Sequence, residues 1–376
     1  MVVLRMRIVA LTIGLLWLCG TLPVVAAAPT ISSLSAVVYE PESGLVLYEK
    51  AGDTPRPMAS TTKLMTALLA AERLQPDAVV TVPAAALPVE GSQVGLAVGD
   101  TLTVRDLLTG LLLASGNDTA NALALLMADS LPAFAALMNR RAAELGMEQS
   151  CFVTPSGLDE GEHSASARDM ALLGAAVLEH PLLAQLCAAK TADMHIGDRR
   201  LTLSNHNKLL TLLPDCIGLK TGFTKKSGRC LVSAVCRDGI TLVVATLNGG
   251  DYWNDHIALY DYGFSLVSRQ PLPDTLPVDC PVAGGTTEWV AVTAALPESV
   301  VVRADESITL QVELSRFVWA PIQTGDTLGT VRCRVGERTE FEVPLTAAVS
   351  VATRPLPSMW ALILRRYRQL VEALLT

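Results

Sequence analysis

The chain has 376 residues, of which half are apolar and 18% are charged, and its formal net charge is −8. This composition excludes a disordered or low-complexity chain and a small disulfide-held scaffold, and the length allows one large or two medium domains. The acidic balance, without a lysine-rich run, argues against nucleic acid as a partner. The mean hydropathy is positive, +0.39, so the position of the apolar residues decides whether a membrane is involved.

Residues 1–28 have the three parts of a secretory signal peptide. Arg5 and Arg7 precede an apolar run over Ile8–Leu18, and alanines follow at 26–28. The run is short for the roughly 20 residues that a membrane span needs, although a membrane anchor is the alternative. We therefore expect cleavage near these alanines and a mature protein that works outside the cytoplasmic membrane.

Residues 29–267 predict an α+β domain, because strand patterns occur at both ends of the segment and helical patterns lie between them. The predicted strands are Ala36–Tyr39, Leu45–Glu49, Leu201–Ser204, Ile217–Thr221, Gly228–Cys236 and Ile240–Leu247. The predicted helices are Thr61–Leu74, Val104–Leu113, Asn117–Met127, Phe134–Leu145, Ala167–Leu178 and Trp253–Val267. This order favours a mostly antiparallel sheet covered by helices.

Residues 268–353 predict a separate, small all-β domain. Prolines cluster just after residue 270, as is typical of a linker, and no helical pattern follows them. The predicted strands are Trp289–Val292, Ser299–Val302, Ile308–Leu314, Thr330–Val335 and Thr339–Val343.

The last segment, residues 354–376, predicts an amphipathic helix. Apolar residues fall on one face, whereas Arg365, Arg366 and Arg368 fall on the other. Such a helix can lie in a membrane interface, and three arginines in its middle argue against a spanning helix. We therefore expect it to hold the protein at a membrane surface, and docking on its own protein or on a partner is the alternative.

Seven cysteines follow the predicted signal peptide, and no two of them have CxxC spacing. A zinc knuckle and a redox motif are therefore unsupported, and we expect apolar packing for most of these thiols. One or two disulfides remain open.

The first chemical motif is Ser60-Thr61-Thr62-Lys63, at the start of a predicted helix. Residues three apart on a helix share a face, so the lysine amine can act as base for the serine hydroxyl. The helix start also offers backbone N–H groups to a developing oxyanion. Alone the motif is weak, because a serine at a helix start is more often only a cap.

Two further motifs follow. In Ser115-Gly116-Asn117 the hydroxyl can relay a proton and the amide can hold a peptide, although such a loop is more often a plain turn. In Lys220-Thr221-Gly222, at the end of a predicted strand, the cation and hydroxyl can bind a carboxylate and the glycine admits a ligand backbone. A solvated lysine at a strand end is the simpler interpretation.

The three motifs occur once each, in the order S-x-x-K, S-x-N and K-T-G, and the chain therefore resembles the low-molecular-mass penicillin-binding proteins. Within that group it is most similar to serine-type D-alanyl-D-alanine carboxypeptidases. Further similarities are Arg56–Ser60, Pro155–Asp159, Gly218–Thr224 and Tyr262–Phe264, and the C-terminal segment also fits. The resemblance implies the transpeptidase fold shared with β-lactamases, followed by a small all-β domain.

The resemblance also implies a role for each matching residue. Ser60 is then the acylated nucleophile, Lys63 its base and Ser115 a proton relay. Substrate binding falls to a second set of residues, namely Asn117, Lys220, Thr221, Gly222, Phe223 and Thr224. The implied oxyanion hole is formed by the backbone N–H groups of Ser60 and Phe223.

The implied substrate is the peptidoglycan stem pentapeptide, which loses its terminal D-alanine to water. β-Lactam antibiotics are implied as covalent inhibitors of the same serine, and no metal or organic cofactor is implied. The chain departs from many relatives at 251–256, which read Asp-Tyr-Trp-Asn-Asp-His where those relatives carry an arginine that helps to bind the substrate carboxylate. His163, before a predicted helix, is interpreted as structural.

Two alternatives remain open. A β-lactamase of the same fold is disfavoured, because no E-x-x-L-N motif lies between Asn117 and Lys220 to activate the hydrolytic water. A catalytically silent cell-wall-binding protein is disfavoured by the intact set of three motifs.

Overall fold

The computed structural model describes residues 27–276, 278–355 and 358–375. The predicted signal peptide therefore lies outside the described residues, except for its last two. The described chain divides into a larger unit that ends at Arg269 and a smaller unit that begins at Gln270.

A five-stranded antiparallel sheet forms the centre of the larger unit, in the order β2-β1-β9-β8-β7. The strands of the larger unit are β1 (Ser35–Glu40), β2 (Leu45–Lys50), β3 (Val79–Thr81), β4 (Thr101–Thr103), β5 (Thr191–Ile196), β6 (Arg199–Ser204), β7 (Cys216–Thr224), β8 (Gly228–Arg237) and β9 (Ile240–Gly249). The strand β7 is one edge of the sheet, so part of its backbone has no strand partner there.

The described residues of the larger unit form eight α-helices. They are α1 (Lys63–Arg73), α2 (Val104–Leu112), α3 (Asn117–Met127), α4 (Leu131–Glu144), α5 (Ala167–Glu179), α6 (Pro181–Ala188), α7 (Leu209–Leu212) and α8 (Tyr252–Leu266). The predicted strands and helices of this segment are confirmed, and their ends differ from the observed ones by at most three residues. The predicted α+β fold class is confirmed as well.

Helices cover both faces of the central sheet. Gly174 of α5 lies against Val232 and Val243, whereas Gly263 of α8 lies against Val38 and Leu242. Because neighbouring residues of a strand point to opposite faces, Val243 and Leu242 show that α5 and α8 pack on opposite sides of the sheet.

The helix α1 lies inside the helical layer, where it contacts α2, α3, α4, α5 and α6. Its residues from Lys63 to Ala70 are all buried, including Leu64, Met65 and Leu68. A helix buried on every side has neighbours that fix its position and rotation. The packing of α1 therefore fixes the direction in which the Lys63 side chain leaves the backbone.

The helices α6 and α7 and the strands β3, β4 and β5 are absent from the sequence-based predictions. Four side chains of α6 are buried, namely Leu182, Leu183, Leu186 and Cys187, and they leave little of the polar face that identifies an amphipathic helix. Periodicity fails for such a short apolar stretch, because a buried helix and a buried strand look alike.

The smaller unit contains a six-stranded sheet in the order β14-β16-β17-β12-β11-β15. The strand β10 (Val267–Pro271) spans the division. The strands after it are β11 (Asp279–Ala283), β12 (Trp289–Thr293), β13 (Ser299–Arg303), β14 (Ile308–Leu314), β15 (Val318–Trp319), β16 (Thr327–Val335) and β17 (Arg338–Ala347). Val290, Val331, Cys333 and Leu345 are among its buried core residues. All five strands predicted for this segment are confirmed.

The C-terminal helix α9 spans Met359–Leu375. Every described side chain from Met359 to Ala373 is exposed, except that of Val371. Within the described ranges, no single helix is long and apolar enough to cross a membrane, and only two sharply bent helix pairs reach that length and composition together. The seven cysteines after residue 28 are free thiols.

Candidate active site

Ser60 lies in a short 3-10 turn, Ala59–Thr62, that leads directly into α1. The sequence predicted one continuous helix from Thr61, and the structure instead tightens its first turn. The turn places Lys63 at the first position of α1, with its Nζ 2.9 Å from Ser60 Oγ. Ser60 remains partly exposed, whereas Lys63 is 0% exposed, so a solvent-accessible hydroxyl contacts a fully buried amine.

The backbone before Ser60 is strained, because Ala59 has a φ of +48°, in the left-handed region that residues with a Cβ rarely adopt. Thr62 Oγ1 donates a hydrogen bond to the Ala59 carbonyl at 2.7 Å. His163 Nε2 lies 2.8 Å from Thr62 Oγ1, and His163 Nδ1 accepts from the backbone N–H of Val153 at 2.9 Å. Nδ1 is thus an acceptor, and neutral His163 donates through Nε2.

Burial lowers the pKa of His163 to about 4, so the ring is neutral at neutral pH. A neutral ring can keep Nδ1 as an acceptor for the backbone N–H groups that face it. His163 thereby supports the turn that carries Ser60 through Thr62, which agrees with its interpretation as structural.

Gly157 makes room for the Ala59 carbonyl. Gly157 has a φ of +87°, and a Cβ built on it would lie 1.9 Å from Ala59 O. No side chain fits at that distance, so the loop around Pro155–Asp159 reaches the nucleophile turn only because residue 157 is glycine.

Lys63 Nζ lies within hydrogen-bonding distance of three oxygens: Ser60 Oγ at 2.9 Å, Asn117 Oδ1 at 2.7 Å and the Ser156 carbonyl at 2.6 Å. The amide orientation of Asn117 is consistent, because its Nδ2 donates to the Glu90 carbonyl at 2.5 Å. Asn117 Oδ1 and Ser156 O can only accept, whereas the Ser60 hydroxyl can also donate.

Burial lowers the pKa of Lys63 well below 10.5, and the nearby charge of Lys220 lowers it further, against an opposing effect of Asp118. A neutral amine has two protons and one lone pair. In that neutral form, the hydrogen bonds to Asn117 Oδ1 and Ser156 O use both protons, which leaves the lone pair for the Ser60 hydroxyl. The arrangement is that of a base aimed at the nucleophile.

Ser115 occupies the turn between α2 and α3 and has a φ of +61°. The Asn117 N–H donates to the Ser92 carbonyl at 2.7 Å, which fixes the turn, and Asn117 reaches Lys63 as described. The Ser115 hydroxyl makes no hydrogen bond within the described ranges. The structure thus brings Asn117 into the Lys63 cluster, and the proton relay by Ser115 stays a prediction.

Lys220 is buried in β7, 1% exposed, and its Nζ donates to the Thr221 carbonyl at 3.2 Å. Burial lowers its pKa to about 8, partly opposed by nearby Cys187. A Cβ on Gly222 would lie 2.9 Å from Met58 O and 3.0 Å from Ser60 N. Glycine at this position therefore lets the edge strand approach the backbone of the nucleophile.

Phe223 and Thr224 complete the predicted substrate-binding strand. Phe223 is exposed, whereas Thr224 Oγ1 donates to Ser227 Oγ at 2.9 Å in the turn after β7. The Thr224 hydroxyl is thus engaged in its own turn, and the substrate contact predicted for it stays a prediction. Within the described ranges, no three His, Cys, Asp or Glu side chains are grouped to hold a metal ion.

No role was predicted for Ser156, Glu90 or Thr62, which the structure places in contact with Lys63, Asn117 and Ala59 respectively. Ser156 and Glu90 act through their backbone carbonyls. Every residue type has this group, so the sequence does not reveal such a contact. The available signal was the Pro155-Ser156-Gly157 sequence, because a glycine after a proline marks a turn that brings backbone close to another segment.

Gly157→Ala is expected to lower the free energy of unfolding by at least about 3 kcal/mol, because the new methyl group overlaps the Ala59 carbonyl. Gly161→Ala is the matched control, since Gly161 also has a positive φ, +53°, but nothing lies within 4 Å of its Cβ position. The control should cost only about 1–2 kcal/mol. Urea unfolding measures both, and equal costs would contradict the close contact at Gly157.

Comparison with known proteins identifies families for both parts of the chain. Residues 23–250 match the family described as D-alanyl-D-alanine carboxypeptidase, and residues 274–353 match the C-terminal domain of penicillin-binding protein 5. The chain is 30% identical over 328 residues to a D-alanyl-D-alanine carboxypeptidase of Bacillus subtilis, with 83% of this chain and 84% of that protein covered.

Solved structures agree with this result. A D-alanyl-D-alanine carboxypeptidase of Mycobacterium tuberculosis is 33% identical with a TM-score of 0.62, covering 66% of this chain and 97% of that one. Penicillin-binding protein 5 of Haemophilus influenzae, 23% identical with a TM-score of 0.67, covers 87% of this chain and 99% of that one and supports the fold. The predicted fold and family are confirmed. The chain belongs to the D-alanyl-D-alanine carboxypeptidase family of serine peptidases.

Proposed function

We propose that this protein removes the terminal D-alanine from peptidoglycan stem pentapeptides through an acyl-enzyme on Ser60. The observation that carries the proposal is the buried Lys63 amine, whose Nζ lies within hydrogen-bonding distance of the Ser60 hydroxyl and of two groups that can only accept, Asn117 Oδ1 and Ser156 O. D-Ala-D-Ala carboxypeptidase activity is also the activity of the family.

In the first half-reaction, Lys63 Nζ takes the Ser60 proton while Ser60 Oγ attacks the carbonyl carbon of the penultimate D-alanine. The resulting oxyanion needs hydrogen-bond donors, for which the backbone N–H groups of Ser60 and Phe223 are the candidates. When the intermediate collapses, the C–N bond breaks and the D-alanine nitrogen receives a proton, relayed through Ser115. An ester on Ser60 and free D-alanine result.

In the second half-reaction, water attacks the ester, Lys63 takes its proton and Ser60 Oγ leaves with a proton. β-Lactams form the same kind of ester, which fits the penicillin-binding family in general.

A β-lactamase activity is less well supported, because efficient loss of the drug ester needs a carboxylate that activates water. Among the described residues, Asp118 is the acidic group whose charge acts on Lys63. Its carboxylate accepts from the backbone N–H groups of Val94, Gly95, Leu96 and Thr119. It is fully buried and engaged in holding that loop, so it is not a free base.

The activity is tested by incubating the purified chain with an acylated peptide that ends in D-Ala-D-Ala and measuring free D-alanine. We expect release by the wild type and a loss of at least about 10³-fold in Ser60→Ala, because the nucleophile is gone. Penicillin should add covalently to the wild type at Ser60, as read by mass spectrometry. Ser268→Ala, which changes an exposed serine, is the control. No D-alanine release together with no adduct would refute the enzyme, and rapid drug turnover would favour the β-lactamase.

We further propose that the protein is exported and held peripherally at the outer face of the cytoplasmic membrane. Support for export comes from the sequence of residues 1–28. Support for attachment comes from α9, where Trp360, Ile363, Leu364 and Tyr367 are exposed together beside three arginines. Apolar side chains and arginines on one helix suit the boundary between headgroups and acyl chains of anionic lipid.

Removal of residues 359–376 is expected to lower the vesicle-bound fraction of the protein at least about tenfold, because the exposed apolar side chains are lost. Sedimentation with anionic lipid vesicles measures it, and Ile363→Glu should give an intermediate loss. Unchanged binding of the truncated chain would show that α9 is not the anchor. The mass of the chain recovered from cells tests export, since a retained N-terminus would contradict cleavage near residues 26–28.

A further inference from the structure

Arg229, near the start of β8, is a cation that has no part in the chemistry described above. The β7–β8 hairpin carries Lys220, Lys225, Lys226 and Arg229 within ten residues. Lys220 is buried and donates to its own strand, whereas Arg229 is exposed. The substrate of the proposed function ends in a carboxylate, and the inference below rests on that function.

The strand register places Arg229 next to the substrate-binding strand. Arg229 lies directly opposite Phe223, and Leu231 lies opposite Thr221. Residues opposite one another in an antiparallel pair share a face, so Arg229, Phe223 and Thr221 are on the same side of the sheet. The diagonal separation from Arg229 to Thr221 is about 7–8 Å, which an arginine side chain can span.

The Arg229 guanidinium is also available for a ligand. Within the described ranges it makes no ion pair and no side-chain hydrogen bond, and Asp251, two residues beyond its β9 partner Gly249, is not paired with it. Burial raises the pKa of the Tyr252 phenol, and the charge of Arg229 opposes that rise. The charge of Arg229 therefore acts at the start of α8.

Lys225 and Lys226, the other exposed cations of the hairpin, are less well placed than Arg229 to bind a ligand beside Thr221. The charge of Lys226 acts on His163, on the side of the nucleophile turn, and Lys225 lies in the turn beyond Thr224. Arg229 is thus the exposed cation that shares a face with Thr221.

We propose that Arg229 binds the terminal carboxylate of the substrate, together with the Thr221 hydroxyl, and so makes the enzyme specific for peptides with a free C-terminus. A guanidinium binds a carboxylate through two parallel hydrogen bonds, which fixes orientation as well as charge. The buried Lys220 adds its charge from within the strand. Arg229 stands on β8, so it supplies the cation that residues 251–256 do not contain.

The test compares two acylated peptides that end in D-Ala-D-Ala, one with a free carboxylate and one with a C-terminal amide. For the wild type, kcat/KM should favour the carboxylate. Arg229→Gln should lower kcat/KM for the carboxylate peptide by about 10–100-fold and change the amide peptide less than about twofold, because only the former has an anion to bind. Arg229→Lys should recover part of the preference.

Lys225→Gln is the matched control, since it removes one exposed charge from the same hairpin and should leave the preference unchanged. Where the amide is cleaved too slowly, the inhibition constants of the two peptides give the same ratio. An equal loss for both peptides in Arg229→Gln, or an unchanged preference, would overturn the proposal. Failure of the proposed function is distinct, because the wild type would then release no D-alanine from either peptide.

Discussion

The Lys63 amine is the group on which the rest of the site depends. Three segments meet at its nitrogen: the turn with Ser60, the start of α3 with Asn117 and the loop with Ser156. Removal from water disfavours the charged form of the amine, and two fixed acceptors receive hydrogen bonds from it. The one partner that can donate is the Ser60 hydroxyl. A chemically ordinary lysine becomes a base for serine because of where the fold holds it.

The fold supplies this environment through burial of α1. The helix is surrounded by its neighbours, so Lys63 cannot turn toward solvent. The strand β7 approaches from the other side, with Gly222 against the backbone of Ser60 and Lys220 buried behind it. Two residues with a positive φ, Ala59 and Ser115, lie beside or within the Ser60 and Ser115-Gly116-Asn117 motifs. Strained backbone of this kind is common at active sites.

Much of the fold and part of the site follow from the sequence. The hairpin β1–β2, the amphipathic helices and the strands β7 to β9 were predictable. The spacing of their apolar residues, or the turn residues that bound a short apolar run, distinguishes a helix from a strand. The helix α6 was not, since four of its eight residues are buried. The motifs predicted that Ser60 and Lys63 meet. They could not predict the Ser156 and Glu90 carbonyls or the positive φ of Ala59, because backbone contacts are decided by tertiary packing.

The central claim is that Lys63 acts as a neutral base while Lys220 stays charged, and the pH dependence of kcat/KM for D-alanine release tests it most directly. The rate should rise as Lys63 loses its proton, at a pH well below 10.5, and fall near pH 8 as Lys220 loses its own. In Lys220→Arg the falling limb should move to higher pH, because a guanidinium stays charged. A rate that climbs steadily to pH 10.5, or a falling limb that does not move in Lys220→Arg, would contradict the account.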